Sequence, residues 1–387
     1  MISPQQVSTA DPVTIQSSIS RASVLENVQQ ICRRELRPLV RRIDKDGQYP
    51  KSVMHRLGSA GLYSQHLLGE GVNEQEIDMA LAIEAMSLVG YECLSTAFCV
   101  WCHDACGWYL ENTKNVALKE SLKPLVGSGL ALGATGLSNP MKFYSSIEKL
   151  KVEGKRVEGG YLINGCLPWV SNLDSEHHFG VVFEDSDDDQ HRIMAILRCD
   201  HDGVRLCDGG RFIALEGSGT FAIRFNDCFV PDELVLADPA DDYINAIRPG
   251  FVLMQVGMAT GLVNACINLM RRQDRTHEHV NCFLPDRPDE LEGANQELLE
   301  RTCRLAQTPN ETDQEFLVET LRARLDAGEL SLKAAQACML NGGARAYMES
   351  SNQFRKLREA YFVGVVTPAT KHLRKEISRL KANESIS

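Results

Sequence analysis

A run of about twenty apolar residues is missing from this 387-residue chain, and no apolar segment stands near its start. The first absence sets the expectation of no membrane-spanning helix and the second that of no secretory leader. An excess of positive charge is lacking as well: 41 Lys and Arg face 52 Asp and Glu, for a formal net charge of −11. Binding of nucleic acid through overall charge is therefore excluded. Several motifs that carry chemistry are absent too. There is no HExxH zinc helix, no glycine-rich phosphate loop of the P-loop or dinucleotide type and no GxSxG nucleophile elbow. Hydrolase and kinase readings have no residues to rest on.

Cysteine is what the chain has in plenty, thirteen in all, an odd number that cannot fully pair within one chain. With no leader, the expectation is a cytoplasmic protein with reduced thiols. Cys99-Val100-Trp101-Cys102-His103 matches the CxxCH haem-attachment pattern, and Cys106 and Cys93 extend it toward an iron–sulfur ligand set. On a helix, however, Cys99, Cys102 and Cys106 share one face and read as small core residues, so no metal is expected. His277 and His279 sit two apart in a polar segment that suits a surface loop. The acidic run Glu184–Asp189 reads as a solvated hairpin loop between strands.

Residues 1–20, polar and rich in Ser, Thr and Gln, read as a flexible tail. Residues 21–129 show helical spacing of apolar positions, with arginines between them in the first stretch. Helices are expected from Val24, from Pro50, over Ile77–Val89 and Gly90–Leu110, and over Val116–Lys123, where Pro124 stops the last. Residues 130–237 change character. Short β-branched runs are punctuated by turns such as Glu158-Gly159-Gly160 and Asn164-Gly165, as in a β-barrel or sandwich. Residues 238–387 return to helical period: a long apolar helix over Phe251–Met270, an irregular excursion at 281–314, then Phe316–Tyr347 and Leu357–Leu380. The fold class is α+β and multidomain: an N-terminal helical domain, a central β domain and a C-terminal helical bundle.

This order, with local motifs, resembles the acyl-CoA dehydrogenase family of flavoproteins from about Val24 to Leu380. The motifs are Arg34-Glu35-Leu36-Arg37-Pro38 with Leu57-Gly58-Ser59-Ala60-Gly61-Leu62, Asn164-Gly165-Cys166-Leu167-Pro168-Trp169-Val170-Ser171-Asn172, Phe225-Asn226-Asp227-Cys228-Phe229-Val230-Pro231, and Gly343-Ala344-Arg345-Ala346-Tyr347 with Arg355-Lys356-Leu357-Arg358-Glu359-Ala360. The resemblance implies FAD as cofactor, with Trp169 flanking the flavin ring and Ser171, on the same strand face, bonding its edge. It places Ser138 and Asn139 in the flavin and substrate loop, Arg275 where the family supplies an arginine to the partner subunit's cofactor, and Gly343 in a glycine signature. The implied activity is an FAD-dependent oxidation of an acyl thioester carried on CoA or a carrier protein, in a specialised or biosynthetic pathway, with a flavoprotein or oxygen as electron acceptor and a homodimer or homotetramer as assembly.

Departures from the family pattern are marked. The loop glycine is replaced by Phe143, and Thr367 stands where the family has its catalytic glutamate. Threonine is not a general base near neutral pH without another base to activate it. No acidic residue lies between Ala360 and Lys371 or between Asn245 and Asn264 to replace it, so the catalytic base is left unassigned. A flavin monooxygenase on the same fold, or a catalytically inactive binding or scaffold homologue, are the alternatives.

Overall fold

The computed structural model describes residues 20–68 and 77–384. The expected tail lies outside the described residues except for Ser20, whose hydroxyl accepts from the Ser23 amide at 3.2 Å and caps the first helix, α1 (Arg21–Ile31). A π-turn over Cys32–Leu36 and a 3-10 turn lead into α2 (Val40–Asp46). Gly47, at φ 68°, ends α2 in the left-handed conformation that glycine adopts without cost. After α3 (Lys51–Ser59), α4 (Met79–Glu92) and α5 (Leu94–Asn112) form the centre of this domain. All but one residue of α5 is buried. Cys99, Cys102 and Cys106 lie inside that packing as free thiols, with burial holding each thiol pKa above its ordinary value. Among the described residues no group of three or more His, Cys, Asp or Glu side chains is arranged to hold a metal.

α6 (Val116–Gly127) does not stop at Pro124 but runs through it. A proline removes one amide donor from the ladder, and here the helix resumes at once, the Ser128 amide donating to the Pro124 carbonyl at 3.1 Å.

The β domain holds eight strands: β1 (Gly133–Ala134), β2 (Val152–Val157), β3 (Gly160–Val170), β4 (His178–Asp185), β5 (Asp188–Arg198), β6 (Val204–Asp208), β7 (Phe221–Pro231) and β8 (Val235–Ala237). They form one mixed sheet in the order β6-β7-β3-β2-β4-β5-β8, with β1 parallel on β4. The sheet folds over its own core. Phe179 of β4 and Phe225 of β7 belong to strands separated in that order by β2 and β3, yet their rings are 6.1 Å apart. Glu184–Asp189 forms the β4–β5 hairpin. Between β1 and β2, where the resemblance implied a loop, stands a helix, α7 (Ser138–Tyr144).

The C-terminal part consists of α8 (Asp241–Asn281), α9 (Pro288–Leu305), α10 (Gln314–Ala346), α11 (Asn352–Val365) and α12 (Thr370–Glu384). α8 extends some ten residues beyond each end of the expected span, so His277 and His279 ride on a helix rather than in a loop. α9 occupies about half of the segment expected to be irregular, with Pro288 in its first turn and the Arg287 amide donating to the Glu290 carboxylate at 3.3 Å. α8 is long and apolar enough to cross a membrane, contrary to the expectation that no such helix exists. In this fold 94% of that apolar window is buried, packed mainly against α4 and α10.

Candidate active site between the sheet and the C-terminal bundle

Trp169 is the exception among the tryptophans. It is 59% exposed, whereas Trp101 and Trp108 are 3% and 0% exposed. Burying such a side chain is strongly favourable, so an exposed one held in a fixed pose marks a surface meant to be covered. The pose is fixed by the loop between β6 and β7. The Trp169 indole N–H donates to the Gly209 carbonyl at 3.0 Å, and the ring meets Phe212 edge-on at 6.4 Å. Phe212 and Ile213 on that loop are exposed as well.

α11 supplies the opposite side. Arg358 donates to the Ile213 carbonyl at 2.7 Å and, with its other terminal nitrogen, to Asp44 at 2.6 Å. Residues three and seven positions on share its helix face; these are Tyr361 and Val365, both exposed. Just past the helix comes Thr367, whose hydroxyl lies 2.9 Å from that of Ser138 at the start of α7. The Thr367 carbonyl accepts from Gln255 of α8 at 2.9 Å. Gln255 in turn accepts from the buried Arg324 of α10 at 2.5 Å, and Arg324 also donates to the Val363 carbonyl at 2.6 Å. Burial pulls the Arg324 pKa down to about 10, so it stays protonated at neutral pH. Exposed Trp169, Phe212 and Ile213 thus stand together on the β domain, and Arg358 ties their loop to α11, the helix that carries exposed Tyr361 and Val365 and ends just before Thr367.

α7 is fastened to the bundle along its length. Tyr144 donates to Asp241 at 2.7 Å. His372 bonds the Ser145 hydroxyl at 2.7 Å, and Lys375 donates to the carbonyls of Ser145 at 2.6 Å and Ser146 at 2.9 Å. Burial pushes the His372 pKa down to about 4, so this contact is made by a neutral imidazole. Burial alone would raise the Asp241 carboxyl, but hydrogen bonds from Arg192 and Tyr144 hold it below its ordinary range.

The remaining residues named from the sequence fall elsewhere. Asn139 is a brace: its amide donates to Glu148 at 3.0 Å and the Lys149 carbonyl at 2.9 Å, and its oxygen accepts from the Lys151 amide at 3.0 Å. Ser171 does not share the face of Trp169. β3 ends at Val170 after a register shift that begins at Leu167, so the two-residue alternation of a strand no longer applies. The Ser171 hydroxyl is buried against Thr220 at 2.6 Å. Arg275 and Gly343 form a separate group. Asn281 and Asn341 each donate to Asp274 at 2.8 Å, joining α8 to α10. Exposed Arg275 follows Asp274, and Gly343 follows Asn341 by two residues, kinking α10 at φ 59°. Exposed Val280, Phe283, Leu340, Tyr347 and Met348 surround this end. No hydrogen bond or ion pair among the described residues links this group to the Ser138–Thr367 pair. Sequence reading missed Phe212, Ile213 and Tyr361 and quoted Arg358 only as part of the C-terminal signature, because its bonds to Ile213 and Asp44 arise from contacts distant in the chain.

A flavin ring needs a flat apolar neighbour and a few directed polar contacts. Exposed Trp169 offers the first and the Ser138 and Thr367 hydroxyls the second. Those hydroxyls bond each other, and such a neutral bond is worth only about 1 kcal/mol net, so ring heteroatoms can take it over. The residues fit the group.

Residues 20–129 match the family model described as acyl-CoA dehydrogenase, N-terminal domain. A probable acyl-CoA dehydrogenase of Bacillus subtilis, YngJ, is 26% identical over 360 residues, covering 87% of this chain and 91% of its own length. Butyryl-CoA dehydrogenase from Megasphaera elsdenii superposes with a TM-score of 0.82 at 16% identity, covering 97% of this chain and 100% of its own. The prolyl acyl carrier protein oxidase AnaB superposes with a TM-score of 0.74 at 16% identity, over 93% of this chain and 97% of its own. Residues 20–129 match the acyl-CoA dehydrogenase N-terminal domain, and the chain as a whole, helical, sheet and helical in that order, has the fold of the acyl-CoA dehydrogenases it resembles.

Proposed function

We infer that the chain is an FAD-dependent oxidoreductase acting on an acyl thioester, borne on CoA or on a carrier protein, without the family's glutamate. The observation that carries this reading is Trp169, exposed yet held in place by Gly209 and Phe212 on a loop that Arg358 ties to α11. When bound, the flavin supplies a two-electron acceptor. Trp169 binds and orients through its flat face, and Phe212 and Ile213 beside it exclude water. Arg324 and Gln255 hold Thr367 in place through its carbonyl. Thr367 contacts Ser138 and Gln255 but no carboxylate, so the substrate proton leaves to a group other than residue 367. The shared fold with a carrier-protein oxidase supports a carrier-borne substrate. The exposed apolar end around Arg275, Phe283 and Tyr347 supports a second copy as partner, in a homodimer or homotetramer.

The visible spectrum of the purified protein tests this reading. Flavin absorbance is expected as isolated or after addition of FAD, with anaerobic bleaching by an acyl thioester. A protein that stays colourless with excess FAD favours the scaffold alternative, and one that makes product only with external reductant and oxygen favours the monooxygenase. A sharper check is Trp169→Ala. Trp169 buries little, so the unfolding midpoint is expected to stay within about 0.5 kcal/mol of wild type, while FAD retention through gel filtration falls at least tenfold. Undiminished FAD retention would remove Trp169 from the site.

A further inference from the structure

Where residues 62–68 lie across α5, the N-terminal domain buries a polar pair that the candidate active site does not use. Three side-chain atoms there are buried with no hydrogen-bond partner among the described residues: both carboxyl oxygens of Asp104 and Nδ1 of His66. Both side chains are 0% exposed, and Asp104 Oδ1 stands 3.9 Å from His66 Nδ1. The other ring nitrogen, Nε2, lies 2.8 Å from the Asp104 carbonyl. A carbonyl only accepts, so Nε2 carries a proton, and a neutral His66 leaves Nδ1 bare. Two bare acceptors facing each other in a dry interior are costly unless a proton lies between them. The titratable groups around the pair are committed elsewhere. His103 is fixed as the neutral ring, donating from Nε2 to the Val126 carbonyl at 3.0 Å and accepting the Gly133 amide on Nδ1 at 3.0 Å. Tyr63 donates to the Met54 carbonyl at 3.0 Å. Lys119 and Lys123 of α6 are both taken by Glu111 of α5, at 2.9 and 3.1 Å. His55 and His177 bond the carbonyls of Gly129 and Asn172.

We propose that Asp104 is a neutral carboxylic acid whose proton is directed at His66 Nδ1, and that this shared proton is a latch holding residues 62–68 on α5, loosened when rising pH removes it. Closing the gap by about 1 Å gives an ordinary O–H···N bond. A carboxylate beside an imidazolium would instead bury two charges and leave both carboxylate oxygens without the further hydrogen bonds such a pair requires. The segment is packed tightly over the latch: a methyl added to Gly107 of α5 would stand 3.2 Å from His66 Nε2. Its end is tied down as well, the Leu68 amide donating to Glu111 at 2.8 Å and Lys123 donating to the Leu68 carbonyl at 2.9 Å. Burial raises the Asp104 carboxyl well above its usual range and pushes the His66 pKa down to about 4. For Asp104, the stability contribution is full below the unfolded value, about 3.9, and is lost as pH rises from there to the folded value. The lowered His66 pKa acts in the opposite sense, but only between about 4 and 6.5. Above pH 6.5 the loss from Asp104 is therefore uncompensated by its partner.

Asp104→Asn in the full chain tests the assignment, because the amide keeps the shape, stays uncharged at every pH and can donate an N–H to His66 Nδ1. The variant is expected to fold. In urea unfolding, its folding equilibrium constant is expected to gain on that of wild type by up to roughly tenfold per pH unit between about pH 6.5 and 8, the linkage of one proton. Hydrogen exchange of the wild type gives a readout that needs no variant. After correction for intrinsic rates, protection of the Leu67 and Leu68 amides is expected to fall over the same range, and in Asp104→Asn to hold steady. The infrared difference spectrum, wild type minus Asp104→Asn at neutral pH, is expected to contain the C=O band of a protonated carboxyl. A variant that fails to fold, a stability gap that does not change with pH, or a difference spectrum with a carboxylate band alone overturns the proposal.

Discussion

Replacing Glu359 with glutamine is expected to cost about 3–5 kcal/mol of stability, the range for breaking a buried ion pair by removing one partner. The carboxylate is 2% exposed and lies between two cations of its own helix. Arg355 reaches one oxygen at 2.6 Å and Lys356 the other at 2.9 Å, and the Lys356 side chain is 1% exposed. The amide keeps the shape but loses the negative charge, leaves one acceptor oxygen for two cations and turns an NH2 donor toward one of them, while the Gly90 carbonyl, at 3.2 Å, is the other acceptor for Lys356. The effect carries a pH signature. Burial alone would raise the Glu359 carboxyl, but Arg355 and then Lys356 hold it below its ordinary value. A depressed folded-state pKa contributes stability that is present above the unfolded value, about 4.3, and is lost as pH falls through the folded value. Urea unfolding is therefore expected to show the full gap between wild type and Glu359→Gln at pH 7 and a narrower gap below about pH 4. The exposed pair Lys45–Glu349 supplies the contrast: Glu349→Gln is expected to leave the midpoint unchanged. Since α11 also carries Arg358, Tyr361 and Val365, Glu359→Gln is expected to lower FAD retention as well. A midpoint for Glu359→Gln equal to that of Glu349→Gln would refute this account.

The second large effect is expected at Gly261, where α8 crosses α4. A methyl group there would stand 2.2 Å from the Ser87 carbonyl oxygen and 2.8 Å from the Tyr91 amide. One turn earlier, a methyl on Gly257 would meet the Ile83 carbonyl at 2.6 Å. These are backbone atoms, which yield only if the whole helix moves. Overpacking of this kind costs typically 1–3 kcal/mol, against a helix-propensity gain of up to about 1 kcal/mol for alanine over glycine. Gly261→Ala is expected to destabilise by on the order of 2 kcal/mol, because the obstacle cannot rotate away. Gly293, on exposed α9 with nothing within 4 Å of an added methyl, is expected to give the opposite sign, a gain of about 0.5–1 kcal/mol on substitution by alanine. Equal unfolding midpoints for the two variants would show that the α4–α8 approach is not held at its closest limit.

Much of the architecture was legible because helix and strand periods are local properties of the sequence. The apolar spacing along Phe251–Met270 marked the central helix, and short β-branched runs marked most of the strands. Boundaries were less legible. Pro124 and Pro249 lie inside helices, since packing against neighbours outweighs one lost hydrogen bond. The polar segment 281–314 hid α9 because only a narrow stripe of it, including Leu291, Asn295 and Leu298, is buried. Among the site residues, Trp169 and Thr367 were singled out from motif position. Ser171 was given the wrong face, because the register shift near Val170 depends on pairing with β7.

By itself the sequence determined the succession of helical, sheet and helical parts, the lack of a carboxylate at residue 367 and the surplus of arginine in the first helices. These follow from residue identity and from spacings of a few positions. Only the tertiary structure decided which of these residues meet. Ser138 and Thr367 are 229 positions apart in the chain and share a hydrogen bond. Arg358 spans 314 positions to Asp44 and 145 to Ile213, on the loop that holds Trp169. Contacts of that range are set by how whole elements pack, through close helix crossings and buried ion pairs, and no local pattern encodes them.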